Sequence, residues 1–164
     1  MHEAVIVPWD SKYATEVIQL IVSIQQKEFQ ISITEADQPD LSRVDTFYQH
    51  DNGNFWIALS DAKVVGTLAL LDIGRRQVAL RKMFVHKDFR GKSIGLANEL
   101  LQRAIRWCSE KNIQDIYLGT VVVLKAAHRF YEKNGFERVE KDELPSNFPI
   151  MGVDTIFYHL SIQD

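Results

Sequence analysis

The sequence predicts an α/β (α+β) fold, a mixed and mostly antiparallel central sheet with helices on both faces. Three observations lead there. Short apolar runs with strand spacing alternate with amphipathic stretches of helical period along all 164 residues. Three of the runs follow one another at hairpin distance, parted only by Asp61-Ala62 and Gly74-Arg75, which describes an antiparallel meander. The middle run, Val64-Val65-Gly66-Thr67-Leu68-Ala69-Leu70-Leu71, is apolar on both faces, so helices are needed on both sides of the sheet.

In chain order, residues 3–7 read as a first strand, and Asp10 or Ser11 can cap a helix that turns Val17, Leu20, Ile21 and Ile24 inward and ends near Phe29. A polar loop, 34–38, precedes a second helix over 41–50 that follows Pro39. The meander strands are 54–59, 63–72 and 77–85. A long amphipathic helix over 93–111 comes next, then a strand over 113–118 with inward Ile116 and Leu118. The last helix, 125–134, is stopped by Gly135 as a left-handed C-cap, and strands 136–139 and 153–162 close the chain around the loop 145–149. The expected order is β-α-α-β-β-β-α-β-α-β-β.

Composition bounds the function. With 46% hydrophobic and 25% charged residues, and no linker, repeat or low-complexity tract, residues 1–164 read as a single domain. No signal-like start and no membrane-length apolar run is present, so a cytoplasmic protein without a membrane partner is expected. The lone cysteine, Cys108, excludes an internal disulfide; it lies on the stripe Ile94, Ala97, Leu101, Ala104, Ile105, Cys108, which favours packing over a nucleophilic role.

The segment 81–95 carries the chemistry. Gly91 and Gly95 let backbone amides approach a ligand, and the helix they open aims free N–H groups and its positive dipole end at it. Arg81, Lys82, Lys87, Arg90 and Lys92 against Asp88 make this stretch +4 in a chain of net charge −3. Such a local basic island favours a polyanionic small ligand over nucleic acid, which asks for a broader basic face. Gly91-Lys92-Ser93 is not the tail of a Walker A loop, because His86 stands where that motif needs glycine.

Two motifs, Arg90-Gly91-Lys92-Ser93-Ile94-Gly95 and Ala127-His128-Arg129-Phe130-Tyr131-Glu132-Lys133-Asn134-Gly135-Phe136, with a helix and a strand between them, resemble the GNAT acetyltransferase superfamily. The whole element order is similar too. The resemblance implies acetyl-CoA as co-substrate and no metal. It puts the pyrophosphate on the amides of Gly91, Lys92, Ser93, Ile94, Gly95 and Leu96 beside Arg90, and the pantetheine arm on the backbone of Met83, Phe84 and Val85. Leu124, Ala127, Phe130 and Lys133 complete the implied cofactor surface, and the strands 77–85 and 113–118 are expected to splay around it. Tyr131 is implied as the general acid that protonates the departing thiolate, with backbone amides holding the oxyanion. Taken alone, a buried tyrosine with a satisfied hydroxyl is the other reading.

The chain departs from the family pattern at three positions. Ser93 replaces a common glycine, Leu124 replaces an asparagine that holds pantetheine, and Ala79 replaces a glutamate used to relay the proton from the attacking amine. The general base is therefore open among Glu28, Asp37, Asp72, Asp154, His128, His159 and a water chain. The family builds its acceptor site from the first helix and the loop after it, which names Gln25, Glu28 and Phe29, with Asp154, as substrate-binding candidates. The resemblance implies a primary amine as acceptor. Glu28, Glu35, Asp37 and Asp40 would suit a polyamine, or are a solvated loop and helix caps; the loop 144–151 lids the acceptor pocket or covers a subunit contact. The expected function is an acetyl-CoA-dependent N-acetyltransferase with a small-molecule amine acceptor. The alternatives are a peptide or protein acetyltransferase and a non-catalytic acyl-CoA sensor, and the family allows a homodimer.

Overall fold

A computed structural model of the chain describes residues 3–91 and 94–162. Seven strands form one sheet: β1 (Val5–Pro8), β2 (Asn54–Ser60), β3 (Lys63–Gly74), β4 (Gln77–Val85), β5 (Asp115–Thr120), β6 (Glu137–Val139) and β7 (Ile156–Ser161), in the order β1-β2-β3-β4-β5-β7-β6. All neighbours are antiparallel except β4 and β5, which run parallel. The helices are α1 (Ala14–Ser23), α2 (Val44–Phe47), α3 (Leu96–Glu110) and α4 (Lys125–Lys133). The mixed, mostly antiparallel sheet expected from the sequence is the one observed.

The doubly apolar run explains the layers. Val64 to Leu70 is buried without a break in β3. Its Ala69, with Phe55 and Ile57 of β2, packs against Val17 and Ile21 of α1 and Leu41, Val44 and Tyr48 around α2. On the other face Leu68 and Leu70, with Trp56 and Ala58, meet Leu96, Leu100, Leu101, Ala104 and Cys108 of α3. Cys108 is fully buried, and burial pushes its thiol up to about 12, which leaves it a packing residue and not a nucleophile. The meander turns close with paired left-handed residues, Asp61-Ala62 and Arg75-Arg76, so the second turn lies one residue later than expected.

Four elements differ from expectation, the simplest being the last strand, which begins at Ile156 and not at 153 because Asp154 N–H closes a turn on Met151 O. The first helix starts as a 3-10 turn, Ser11–Tyr13, capped by Asp10, and ends as a π segment, Ile24–Glu28, in which Phe29 N–H reaches Ile24 O at 3.2 Å. The extra residue in that turn lets both Ile24 and Gln25 face inward. The second helix shrinks to a 3-10 turn, Pro39–Ser42, followed by the single turn of α2, because Arg43 leaves helical geometry (φ −144°, ψ 46°) while Asp40 and Leu41 turn into the core. The fifth strand shifts from 113–118 to Asp115–Thr120, since Ile113 N–H closes the end of α3 on Cys108 O at 2.8 Å and Asn112 is left-handed. Gly135 does end α4 at φ 93°, with Phe136 N–H on Tyr131 O and Gly135 N–H on Glu132 O, a Schellman closure.

Candidate active site

The site begins with a fault in β4. Opposite Thr67 and Ala69 of β3 stand Phe84 and Arg81, so two residues, Lys82 and Met83, face Leu68 alone. Lys82 is left-handed (φ 55°), and Thr67 Oγ1 donates to its carbonyl at 2.6 Å. Such a bulge bends its strand and breaks pairing. The pairing of β4 with β5 accordingly runs only from Gln77–Asp115 to Ala79–Tyr117, after which the two parallel strands part. A cleft of about 150 Å³ opens there, walled by Leu80 to Phe84 on one side, Gly119 to Val121 on the other, and Leu124, Ala127 and Tyr131 of the α4 end.

From the cleft, β4 leads through the 3-10 turn Lys87–Phe89 into the loop that opens α3. Gly91 (φ 106°) and Gly95 (φ 70°) take conformations that side chains resist, and Gly95 is the N-cap of α3, its N–H on Gly91 O at 3.0 Å. Ile94 N–H also donates to Gly91 O, at 3.3 Å, so two of the amides that the resemblance gave to pyrophosphate are engaged within the loop, while Leu96 opens α3; Lys92 and Ser93 lie outside the described residues. Arg90 donates from Nε to Val85 O at 2.8 Å and makes a two-point ion pair with Glu28, Nη2 to Oε1 at 2.8 Å. Phe29 lies under the same guanidinium, its ring centroid 6.0 Å away.

That ion pair corrects two expectations. Glu28 and Phe29 do not line the cleft; they brace the cradle loop. The hydrogen bond from Arg90 holds the Glu28 carboxyl below the usual carboxylate range, which makes it a poor proton acceptor. Asp37 and Asp72 are occupied as well. Asp37 accepts from Thr34 N–H and Oγ1, and Asp72 from Asn52 and Gly74 N–H, both as turn-closing groups. His128 contacts Val121 O and His159 contacts Asp115. Ala79, where the family often has glutamate, is buried in an apolar cluster with Phe148 and Phe157.

Of the acceptor-side candidates, the structure brings Gln25 and Asp154 to the cleft. Asp154 fits because position 119 is glycine: a Cβ there would lie 2.7 Å from Asp154 Oδ2 and 3.0 Å from the Phe157 ring. Burial pushes the Asp154 carboxyl up to about 6, with Arg81 and Lys82 pulling the other way. Folding therefore favours the protonated acid, and the ionised form subtracts from stability above about pH 6 and stops doing so below the ordinary value of 3.8. Asp154→Asn should raise the urea midpoint at about pH 8, with the gain vanishing towards about pH 4. A gain that does not change with pH would remove this account.

Tyr131 is almost fully buried, packed on Phe136, Tyr158 and Phe130, with its hydroxyl 4.0 Å from Met83 Sδ. Burial, and then the Asp154 carboxylate, raise its pKa well above the ordinary phenol value, so the group keeps its proton at neutral pH. Leu124 is the N-cap residue of α4 and, with Ala127, lines the cleft; Phe130, implied as part of the cofactor surface, is not in the cleft lining and packs against the core. Phe148, Pro149, Met151 and Val153 wall the cleft from the 144–151 loop and the turn after it.

Two residues that the sequence assigned only to the basic island, Arg81 and Lys82, face the cleft instead. Lys82 Nζ donates to Gln38 Oε1 at 2.6 Å and stands 3.6 Å from Asp40 Oδ2, which also accepts from the Tyr48 hydroxyl at 2.6 Å. Gln38 in turn exchanges hydrogen bonds with Gln25. Burial lowers the Lys82 pKa, and Asp40 opposes the shift. Asp40, grouped by the sequence with solvated acids, is thus a buried counter-ion. Nothing local marks these residues, since the bulge that aims Lys82 depends on pairing with β3.

The family model described as Acetyltransferase (GNAT) family matches residues 18–136. The chain belongs to the GNAT acetyltransferase family. A GNAT-family acetyltransferase of Staphylococcus aureus Mu50 superposes with a TM-score of 0.95 at 38% identity, over 98% of this chain and 100% of that one. An acetyltransferase of Streptococcus agalactiae 2603 does so at 0.90 and 30% identity, over 95% and 96% of the two chains. The PaiA N-acetyltransferase of Thermoplasma acidophilum, solved with coenzyme A, shares the fold at 0.73 and 17% identity, over 97% and 99% of the chains. In sequence, N-acetylaspartate synthetase of Danio rerio is 37% identical over 106 residues, 63% of this GNAT chain and 37% of that protein. A probable N-acetyltransferase family 8 member 5 of Mus musculus is 28% identical over 76% of this chain and 55% of its own length. The GNAT chain therefore matches about two fifths to just over half the length of these curated relatives. Among the described residues no helix is long and apolar enough to cross a membrane.

Proposed function

We propose that this chain is an acetyl-CoA-dependent N-acetyltransferase that transfers acetyl to the primary amine of a small molecule by direct attack on the thioester. The observation that carries the reading is the junction of the parted β4 and β5 edges with the α3 cradle, walled by the Tyr131 phenol. The residues fit the co-substrate. The edge of Met83, Phe84 and Val85 beyond the last β4–β5 pair offers backbone groups to the amides of pantetheine, and the amides at the α3 N-terminus suit a pyrophosphate. Leu124 supplies an apolar contact where an asparagine would donate, and Ala127 leaves room beside it. Lys133, in the last turn of α4, is the remaining phosphate candidate.

When bound, acetyl-CoA supplies the activated acetyl group. The chain's own part is orientation and proton handling. Tyr131, neutral and surrounded by apolar rings, holds a proton for the leaving sulfur. Amides of the bulged segment 82–84 are the donors suited to the oxyanion. Asp154, a carboxylate in the cleft wall with its pKa raised to about 6, suits the proton of the attacking amine. The name of the Danio rerio relative gives that protein a small-molecule acceptor, which supports the small-molecule reading.

The test is thiol release from acetyl-CoA over polyamines, amino acids, aminoglycosides and peptides, with calorimetric CoA binding alongside. Turnover on a small amine is expected. CoA binding without turnover on any amine would replace the enzyme by a sensor, and absence of CoA binding would overturn the cradle assignment.

A further inference from the structure

Resting on the acetyltransferase reading, we infer that the acceptor is an amine that also carries a carboxylate, an amino-acid-like zwitterion, and that Arg81 is the residue that selects it. The cleft lining holds three charged side chains: Arg81, Lys82 and Asp154. Lys82 is already matched, by Asp40 and Gln38 behind it. Arg81 is not. Among the described residues no carboxylate lies within ion-pair distance of it, and its one side-chain hydrogen-bond contact is Nη2 to the Met151 thioether at 3.6 Å.

The guanidinium is held from behind by the Phe47 and Tyr48 rings, 5.7 and 5.8 Å from its centre, which fix the planar fork without using its donors. A half-buried guanidinium with unused donors, facing a ligand cleft, is completed by an anion that enters there, and a carboxylate matches the fork in two-point geometry. The cleft also contains a single carboxylate, Asp154, to receive the ammonium. A polyamine or simple amine would bring its charge against Arg81 and leave those donors unmet. The acid-rich segment around Glu28, Glu35 and Asp37, which had suggested a polyamine, does not line this cleft.

The test compares amines that differ only in the carboxylate: free amino acids, acidic ones included, against their amides, with spermidine and a short peptide as further acceptors and acetyl-CoA as donor. The amide's amine is the less basic, so it is the more reactive at neutral pH and the comparison runs against the inference. A free amino acid is expected to exceed its amide by about 10- to 100-fold in kcat/KM. Arg81→Gln should erase that ratio mainly through KM, and Arg81→Lys should restore part of it. The amine pairs on the unaltered chain decide the matter even if the variants fail to fold. Amides, spermidine or the peptide turning over as well as free amino acids would overturn the inference and leave the acetyltransferase reading standing. No turnover on any amine would overturn both.

Discussion

Tyr131→Phe is expected to lower kcat by about 10²- to 10³-fold while CoA binding and the urea midpoint stay near their original values. Packing predicts the second half of that result. The ring rests on Phe136, Tyr158 and Phe130, all contacts that phenylalanine keeps, and among the described residues the hydroxyl's hydrogen-bond contact is the Met83 sulfur at 4.0 Å. The first half follows from charge. Departure of a thiolate into a largely apolar cleft leaves an anion that water cannot easily reach, and a phenol kept neutral by burial, with the Asp154 carboxylate adding to it, is a donor already in the wall. The check is steady-state kinetics with calorimetry on the same preparation. A variant with undiminished kcat would assign the proton elsewhere and return Tyr131 to a packing role.

Lys82→Met should cost about 3 kcal/mol of stability, read as a fall in the urea midpoint at neutral pH. The side chains of Lys82 and Asp40 are 8% and 7% exposed, so removing the ammonium leaves a buried carboxylate that, among the described residues, has the Tyr48 hydroxyl alone to hold it. Removing one member of a buried pair is costly, whereas replacing both is often nearly neutral. Asp40→Asn combined with Lys82→Met should therefore recover most of the loss. Equal losses in the single and double variants would mean that the β4 bulge, and not the ion pair, needs lysine. The distinction bears on function, because the same residue sits at the left-handed bulge that separates β4 from β5.

Much of the fold was legible because it rests on local pattern. The β3 run Val64 to Leu71 predicted two helical layers, and both are there. Gly91, Gly95 and Gly135 announced left-handed positions that only their lack of a Cβ makes easy. The site was legible only in part. Arg90 looked like a phosphate ligand from its motif, yet its guanidinium is engaged by Glu28, sixty-two residues away. Glu28 looked like an acceptor-site acid, and the same ion pair draws it to the cradle loop. Arg81 and Lys82 read as part of one basic island because sequence proximity hides the opposite fates of side chains on a bulged strand.

The sequence by itself determined the layers, the order of elements, the glycine-opened cradle and the aromatic motif that carries Tyr131. Each of these depends on hydrophobic period or on backbone freedom, properties that a residue carries with it. Only the tertiary structure decided where β4 leaves β5, which carboxylates are already partnered, and which cation remains unmatched in the cleft. Those outcomes are set by strand register and by competition for counter-ions among groups far apart in the chain, and no local window contains both sides of such a competition.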